Sequence, residues 1–591
     1  MPPRNFSVGE KAPKGTFKKS MSKLFRYCRF QMWPLILSMI FGSIGVACQI
    51  VGPNLIGDVT DYIQEGLMGA DVLNQISQLC FTLVAIYIVM ALLQYLQQYI
   101  MNNVTQNVVR RFRTDISRKI NRLPLNYFDT HLYGDVLSRV TNDVDTLGQS
   151  MNESIANLLS NIILFIGVLV MMFVTQWIMA LTVIGTTIIG FAFSSIFLLR
   201  AQKYFDQNQK NLADINAHVE EVYSGHNVVQ LFNAKETQSK EFEKINKKLF
   251  YSGWKSQFIS GVMMPVMSFT GNLGYVAVCV VGAVLIATQG LGYGVIASFM
   301  IYVRLFSNPL SQIAQSLTRL QSTSAAANRV FEFLESPELE TPVLNVEDVK
   351  GNVEFDHVKF GYNEDKIIIK DFSAKIKKGQ KVAIVGPTGA GKTTLVNLLM
   401  RFYEINSGDI RIDGIPTRYM TRENVHALFG MVLQDTWLFE GTIKENLRYN
   451  NENVTDEQIY NACKQVGVDH FIQTLSKGYD TKIDDTVNLS AGQKQLLTIA
   501  RTMIQNRPML ILDEATSSVD TRTEILLQKA MDKVMEGRTS FIIAHRLSTI
   551  KNADMILVLK DGDIIESGTH NQLLKKGGFY ADLYNSQFDE K

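Results

Sequence analysis

Gly386, Pro387, Thr388, Gly389, Ala390, Gly391, Lys392 and Thr393 fit the phosphate-loop pattern GxxxxGK[ST], and Thr394 continues into a helix-like run. Glycines at this spacing let backbone N–H groups approach phosphate oxygens, and the N-terminus of the following helix adds a favourable dipole. Lys392 is expected to reach the β- and γ-phosphates of a nucleotide, and Thr393 to place its hydroxyl on Mg²⁺. The apolar run Met509 to Leu512 ends in Asp513 and Glu514. An aspartate beside a phosphate loop can hold Mg²⁺, and Glu514 has the reach to polarise an attacking water. The run Thr539 to Ala544 ends in His545, which could touch the γ-phosphate. Alone, the acidic pair reads as a solvated strand end and the histidine as structural. Together with the phosphate loop they read as parts of one hydrolytic site.

Positioning these groups takes a sheet. KVAIV, MLILD and TSFII are short, continuously apolar, and separated by helix-like stretches, the pattern of buried parallel strands in an α/β domain. Functional groups then collect at the carboxyl ends of the strands. A second candidate anion cradle, Leu489-Ser-Ala-Gly-Gln493, precedes the run LLTIARTMI. Ser490, Gly492 and Gln493 at a helix start could face a phosphate too. One chain thus carries two cradles, about a hundred residues apart.

The N-terminal half differs in kind. Gln31 to Gly57, Val72 to Val109, Ser154 to Leu199 and Ser256 to Val303 contain no Asp, Glu, Lys or Arg. Each is long enough for a membrane helix of about 20 residues, and the last two for hairpins that divide near Thr175-Gln176-Trp177 and near Thr288 to Gly294; about six spans result. Buried soluble helices would show a polar face. The segment Pro53 to Gln78 carries Asp58, Asp61, Glu65 and Asp71 but no basic residue, whereas the N-terminus and the loops after the second and fourth spans are rich in Lys and Arg. Positive-inside bias therefore predicts cytoplasmic termini and long cytoplasmic loops. The predicted division is a membrane domain over 1–320, a linker over 321–350 and a nucleotide-binding domain over 351–591, with Leu305 to Leu334 at helical spacing and Glu335 to Pro342 linker-like. A net charge of +2 in 591 residues gives no support to a nucleic-acid partner. The five cysteines are scattered without a CxxC, and the first apolar run lacks a cleavage site for a signal peptide.

The order phosphate loop, LSxGQ, ILDEATSSVD, AHR resembles the nucleotide-binding domain of ATP-binding cassette (ABC) transporters over Gly351 to Lys591. The membrane half is similar to the exporter branch, nearest the half-transporters of bacterial multidrug exporters. The resemblance implies an α-helical membrane domain of six spans with long cytoplasmic extensions, fused to an α/β P-loop ATPase domain that uses ATP and Mg²⁺. It implies that Tyr362 stacks on adenine, that Gln434 senses Mg²⁺ and water, and that Asp520, with Ser518 and Val519, lies in the loop crossing to the other nucleotide site. Leu123 to Arg139 resembles a first coupling-helix region, and Ser224 with Gly225 the second. In that family two ATPase domains pack head to tail, so Ser490, Gly492 and Gln493 would cap a nucleotide held by a partner chain.

Two departures stand out. Ala491 occupies the third position of the usual LSGGQ, and TKIDDTVN lacks the VGExG of exporters. An added methyl matters most where the backbone needs positive φ or close phosphate approach. The chain's own ATP face is intact while the face offered to a partner is altered, which predicts a heterodimer; a homodimer that tolerates alanine is the alternative. The implied activity is ATP-driven export of amphipathic small molecules across the plasma membrane, with a lipid or peptide translocase, an importer or a channel as other readings. The Met-, Phe-, Tyr- and Ile-rich spans suit varied amphipathic compounds and lipid contact equally. Arg304 in the last span reads as a cavity charge or as a snorkelling residue. A Glu65→Cys variant is expected to be labelled by an impermeant maleimide from the outside of intact cells; labelling only from the cytoplasmic face would overturn this topology.

Overall fold

The computed structural model describes residues 16–67, 72–339, 344–346, 348–363, 366–433, 436–449, 451–483, 489–513, 521–543 and 550–588. The chain forms two compact units, one of Met1–Asn121 and Gly134–Ser336, the other of Arg122–Tyr133 and Pro337–Lys591.

The described residues of the first unit are helical apart from short turns. Uncharged backbone that enters a bilayer must satisfy its polar groups internally, and a helix does so within one segment. Among the described residues five helical runs are long and apolar enough to cross a membrane: Phe17–Leu67, Leu73–Ile120, Tyr133–Thr175, Trp177–Ser224 and Ser268–Gln289. The turns fall where the polar residues predict them, at Gln176 and after Gln289, where Gly290 caps the helix at φ 67°. The expected sixth span lies on the helix Gly294–Glu335, outside that set of five. Arg304, Asn308 and Pro309 dilute its apolar run. Its first turns are still core: Phe299, Tyr302, Val303 and Phe306 pack with Val46, Val168 and Val183.

Where Met32–Leu67 crosses Gly294–Glu335, the backbones touch. A Cβ on Gly57 would strike the Ser298 hydroxyl and the Gly294 carbonyl, and a Cβ on Gly294 would strike Gly57. The side chains around the crossing complete it. Asp61 accepts the Gly294 N–H at 2.7 Å, Ser298 Oγ donates to the Pro53 carbonyl at 2.9 Å, and Tyr302 donates to Asn54 Oδ1 at 2.8 Å. The helix then continues through residues 321–335, past the predicted start of the linker, because Val330 and Phe333 keep its buried stripe going. It stops at Ser336, whose extended backbone (φ −56°, ψ 141°) is what a residue before proline favours.

The second unit is α/β. Its main sheet runs Asp563–Gly568, Met555–Lys560, Lys381–Val385, Thr539–Ile543, Met509–Asp513, Phe429–Val432, with all neighbours parallel except the first pair. Side chains of each strand alternate between two cores: Val382 and Ile384 join Phe355, Phe372 and Phe541, while Ala383 and Val385 join Leu510, Leu512 and Ile542. Burial on both faces is why these strands read as continuous apolar runs. An antiparallel sheet, Ile369–Ile376, Val353–Phe360, Ser407–Ile412 and Ile415–Pro416, contributes to the first of those cores.

Gly294→Val is expected to overpack the crossing at a cost of about 1–3 kcal/mol. A lower thermal midpoint of the purified protein checks this; an unchanged midpoint would mean the two helices separate freely.

Candidate active site

The phosphate loop leaves the strand Lys381–Val385 and enters the helix Lys392–Leu399. Gly386 is required by close approach, since a Cβ there would strike the Leu559 carbonyl of the adjacent strand. Gly391, the residue before the helix, sits at φ 97°, a region that side chains disfavour. Pro387, Thr388 and Gly389 form the exposed outer bend, and the Ala390 N–H closes it on the Pro387 carbonyl at 3.2 Å. Lys392 is buried, and its Nζ donates to the carbonyls of Gly386 at 2.7 Å and Pro387 at 3.1 Å. Burial pushes its pKa below the ordinary lysine value, and the Asp513 carboxylate opposes that shift. Thr393 is exposed at the helix start, so its hydroxyl is open to a ligand.

Strand register brings Asp513 to the same rim. Asp513 lies opposite Ile543, and Ile543 lies opposite Ile384, one residue short of the end of the loop-bearing strand. A buried ammonium, an exposed hydroxyl and a carboxylate thus share one end of the sheet, with the donor set a magnesium nucleotide takes. Glu514, His545, Gln434 and Asp520 lie outside the described residues, as do Ser518 and Val519.

Tyr362 is half-buried, with its hydroxyl 3.3 Å from Thr394 Oγ1 behind the loop. Its ring packs edge-on against Phe360 and Tyr403, each at 5.0 Å between centroids. Tyr403 is a residue that sequence reading passed over. Its hydroxyl donates to Asp129 Oδ2 at 2.6 Å, on the short helix Leu125–Thr130. Burial first, and then this bond, raise its phenol pKa. No motif marked Tyr403; the only cue was its place just after the phosphate-loop helix.

The second cradle starts the helix Ala491–Gln505. Ser490 Oγ accepts the Gln493 N–H at 3.2 Å and Gln493 Oε1 accepts the Ser490 N–H at 2.9 Å, a reciprocal capping box. Ala491 is the first helical residue, exposed and without positive φ. Gly492 is buried on the next position. Further along, Arg501, also unmarked by any motif, donates to the Asn446 and Trp437 carbonyls at 2.8 and 3.3 Å, tying this helix to both.

A parallel sheet with a phosphate loop, preceded in one chain by a set of apolar membrane helices, defines a membrane-bound ATPase. Residues 35–310 match the model of the ABC transporter transmembrane region and residues 369–517 that of the ABC transporter ATPase. The chain belongs to the ABC transporter family, as an exporter-type half-transporter with transport-coupled ATPase activity. It is 45% identical, over 84% of this chain and 79% of the relative, to a fatty acid ABC transporter ATP-binding/permease protein of Mycobacterium tuberculosis (strain CDC 1551 / Oshkosh). It is 38% identical to the uncharacterized ABC transporter ATP-binding protein YfiC of Bacillus subtilis (strain 168), over 97% of this chain and 95% of that one. A probable multidrug resistance ABC transporter ATP-binding/permease protein of the same organism, YheH, is 35% identical over 84% of this chain and 75% of its own length.

Two substitutions separate structure from chemistry here. Ser490→Gly should cost only a few tenths of a kcal/mol of helix stability and Ser490→Ala about 1 kcal/mol. If capping is the whole role of Ser490, ATP turnover falls in the alanine variant and survives in the glycine variant; loss in both marks contact with nucleotide. Tyr403→Phe should speed amide exchange across 125–130 by releasing Asp129, and unchanged exchange would show the bond to be idle.

Proposed function

We propose that the chain uses ATP to export amphipathic small molecules across the plasma membrane, paired with a different half-transporter. The observation that supports this reading is the buried Lys392, the exposed Thr393 and Asp513 gathered at one rim of the sheet, in a chain that also carries the membrane helices. In this reading the loop N–H groups and Lys392 bind the β- and γ-phosphates, exchanging the Gly386 and Pro387 carbonyls for phosphate oxygens. Tyr362 stacks on adenine. Thr393 and Asp513, with Gln434, would hold Mg²⁺, which when bound neutralises phosphate charge. Glu514 takes a proton from the attacking water, and His545 contacts the γ-phosphate. Ser490, Gly492, Gln493 and Asp520 serve the nucleotide of the partner chain.

An amphipathic substrate agrees with the names of two relatives, one a fatty acid transporter and the other a probable multidrug resistance transporter. The fatty acid name also supports a second reading, lipid translocation or import on the same architecture. The heterodimer rests on Ala491. Its methyl stands exposed at the start of the helix that would face the partner's γ-phosphate, while the chain's own loop is complete.

ATPase activity of the chain alone in lipid nanodiscs tests this, with Glu514→Gln as the blank. The expected result is ATP binding with little turnover until a second half-transporter is added. Robust turnover abolished by Glu514→Gln would establish a homodimer. Turnover that survives Glu514→Gln would remove that residue as the base.

A further inference from the structure

The N-terminal helix Thr16–Tyr27 and the 3₁₀ turn Cys28–Gln31 lead directly into the first long helix, and charge stops at Arg29. The helix is two-sided. Ser20, Met21, Leu24 and Cys28 are buried, while Lys18, Lys19, Phe25, Arg26 and Arg29 face outward. The basic residues do not all have the same role. Lys23 pairs with Glu335 at 2.6 Å. Arg111 is fixed over the rings of Tyr27 and Phe30, at 4.8 and 4.6 Å, and reaches Asp115 at 3.8 Å. Arg26 and Arg29 have no ion pair among the described residues.

Those two arginines line two adjoining grooves. One, of about 490 Å³, is completed by Phe25, Met32, Trp33 and Ile36. The other, of about 630 Å³, includes Arg111. The first groove is graded: guanidinium groups on the side where the chain is charged, and apolar side chains on the side where the uncharged span begins. Trp33, 82% exposed, stands at that boundary, where an indole with one polar edge is at home.

We propose that Arg26 and Arg29 bind the phosphate of an anionic phospholipid in the leaflet on the N-terminal side, with its chains along Trp33 and Ile36. Charge complementarity selects the occupant. Guanidinium groups clasp phosphate oxygens in pairs; among the described residues no carboxylate lines the first groove, and Glu335, which lines the second, is paired with Lys23. A zwitterionic lipid would set its ammonium against the same arginines, and a soluble anion would leave the apolar half of the groove unfilled. The site requires membrane insertion of the first span but not the transport reading above.

The test uses the full-length protein in nanodiscs that contain either brominated phosphatidylglycerol or brominated phosphatidylcholine at equal mole fraction. The chain has four tryptophans, and the signal of Trp33 is the difference between wild type and Trp33→Phe. Severalfold stronger quenching of Trp33 by the anionic lipid is expected, with loss of the excess in the Arg26→Gln/Arg29→Gln double variant. Trp177, at a turn with no nearby charge in sequence, should show no preference in a Trp177→Phe difference. Equal quenching of Trp33 by both lipids, or an excess that persists in a double variant with wild-type thermal stability, would overturn the proposal. So would abolition of the excess by millimolar inorganic phosphate, which would make the ligand a free anion. ATPase activity is not needed for the readout, so failure here leaves the export reading untouched.

Discussion

A lysine kept charged in a buried position is the constraint around which the ATPase unit is arranged. The Lys392 ammonium lies within the fold, held by two carbonyls of its own loop, and burial works against its charge. An unpaired buried ammonium is costly, so the loop must curl until its carbonyls can accept. That curl demands glycine where the backbone turns to φ 97° and where it brushes the next strand. The strand beneath must be rigid, which explains a segment apolar on both faces and flanked by parallel neighbours. One of those neighbours, Thr539–Ile543, in turn pairs with Met509–Asp513 in a register that brings Asp513 to the same rim, where its carboxylate compensates part of the burial. The glycines of the loop and the register that places Asp513 at the rim thus both serve one buried cation.

The aromatic cluster behind the loop extends this arrangement to the segment Arg122–Tyr133, which the chain inserts between long helices of the membrane unit yet which groups with the ATPase unit. Tyr362 touches Thr394 at the loop helix, Tyr403 touches Tyr362, and Tyr403 is bonded to Asp129. A hydrogen bond to a carboxylate is directional and about 1.5–3 kcal/mol strong when shielded from water, less when exposed as here. It is therefore suited to fixing an orientation.

Much of this was legible in the residues. The strands KVAIV, MLILD and TSFII occur where their apolar runs lie, because a strand covered on both faces has no polar positions to hide its signal. The phosphate loop was legible because its glycines have no other use at that spacing. Long uncharged stretches likewise gave five spans and both tight turns. Less visible was anything that depends on where a side chain meets a distant one. Tyr403 and Asp129 are 274 positions apart, and neither has a local pattern. The helix Gly294–Glu335 runs on through residues 321–327, where Ser, Thr and Ala dilute its pattern, because Val330, Phe331 and Phe333 continue the buried face. Six spans were expected and five runs among the described residues are long and apolar enough; the helix Gly294–Glu335, where the sixth was expected, packs its first turns against other helices and carries Arg304, Asn308 and Pro309 near them.

Ala491 shows how a departure from a motif changes meaning once the backbone is known. Glycine at that place could serve three needs: positive φ, room for a close neighbour, or access to a ligand. The first does not arise, since Ala491 begins a helix in ordinary helical conformation, where alanine is the best helix former. The second does not arise within the chain, because the residue is exposed. The third need depends on what approaches the helix start, and the helix itself is silent on it. Ser490 and Gln493, by contrast, have a complete local reason to be present, since each caps the other's N–H. Within the motif, Ser490 and Gln493 build the helix start, and the methyl of Ala491 stands exposed beside them. The helix itself gains from the methyl, so any cost of the alanine would have to arise outside the helix, which is the premise of the heterodimer reading.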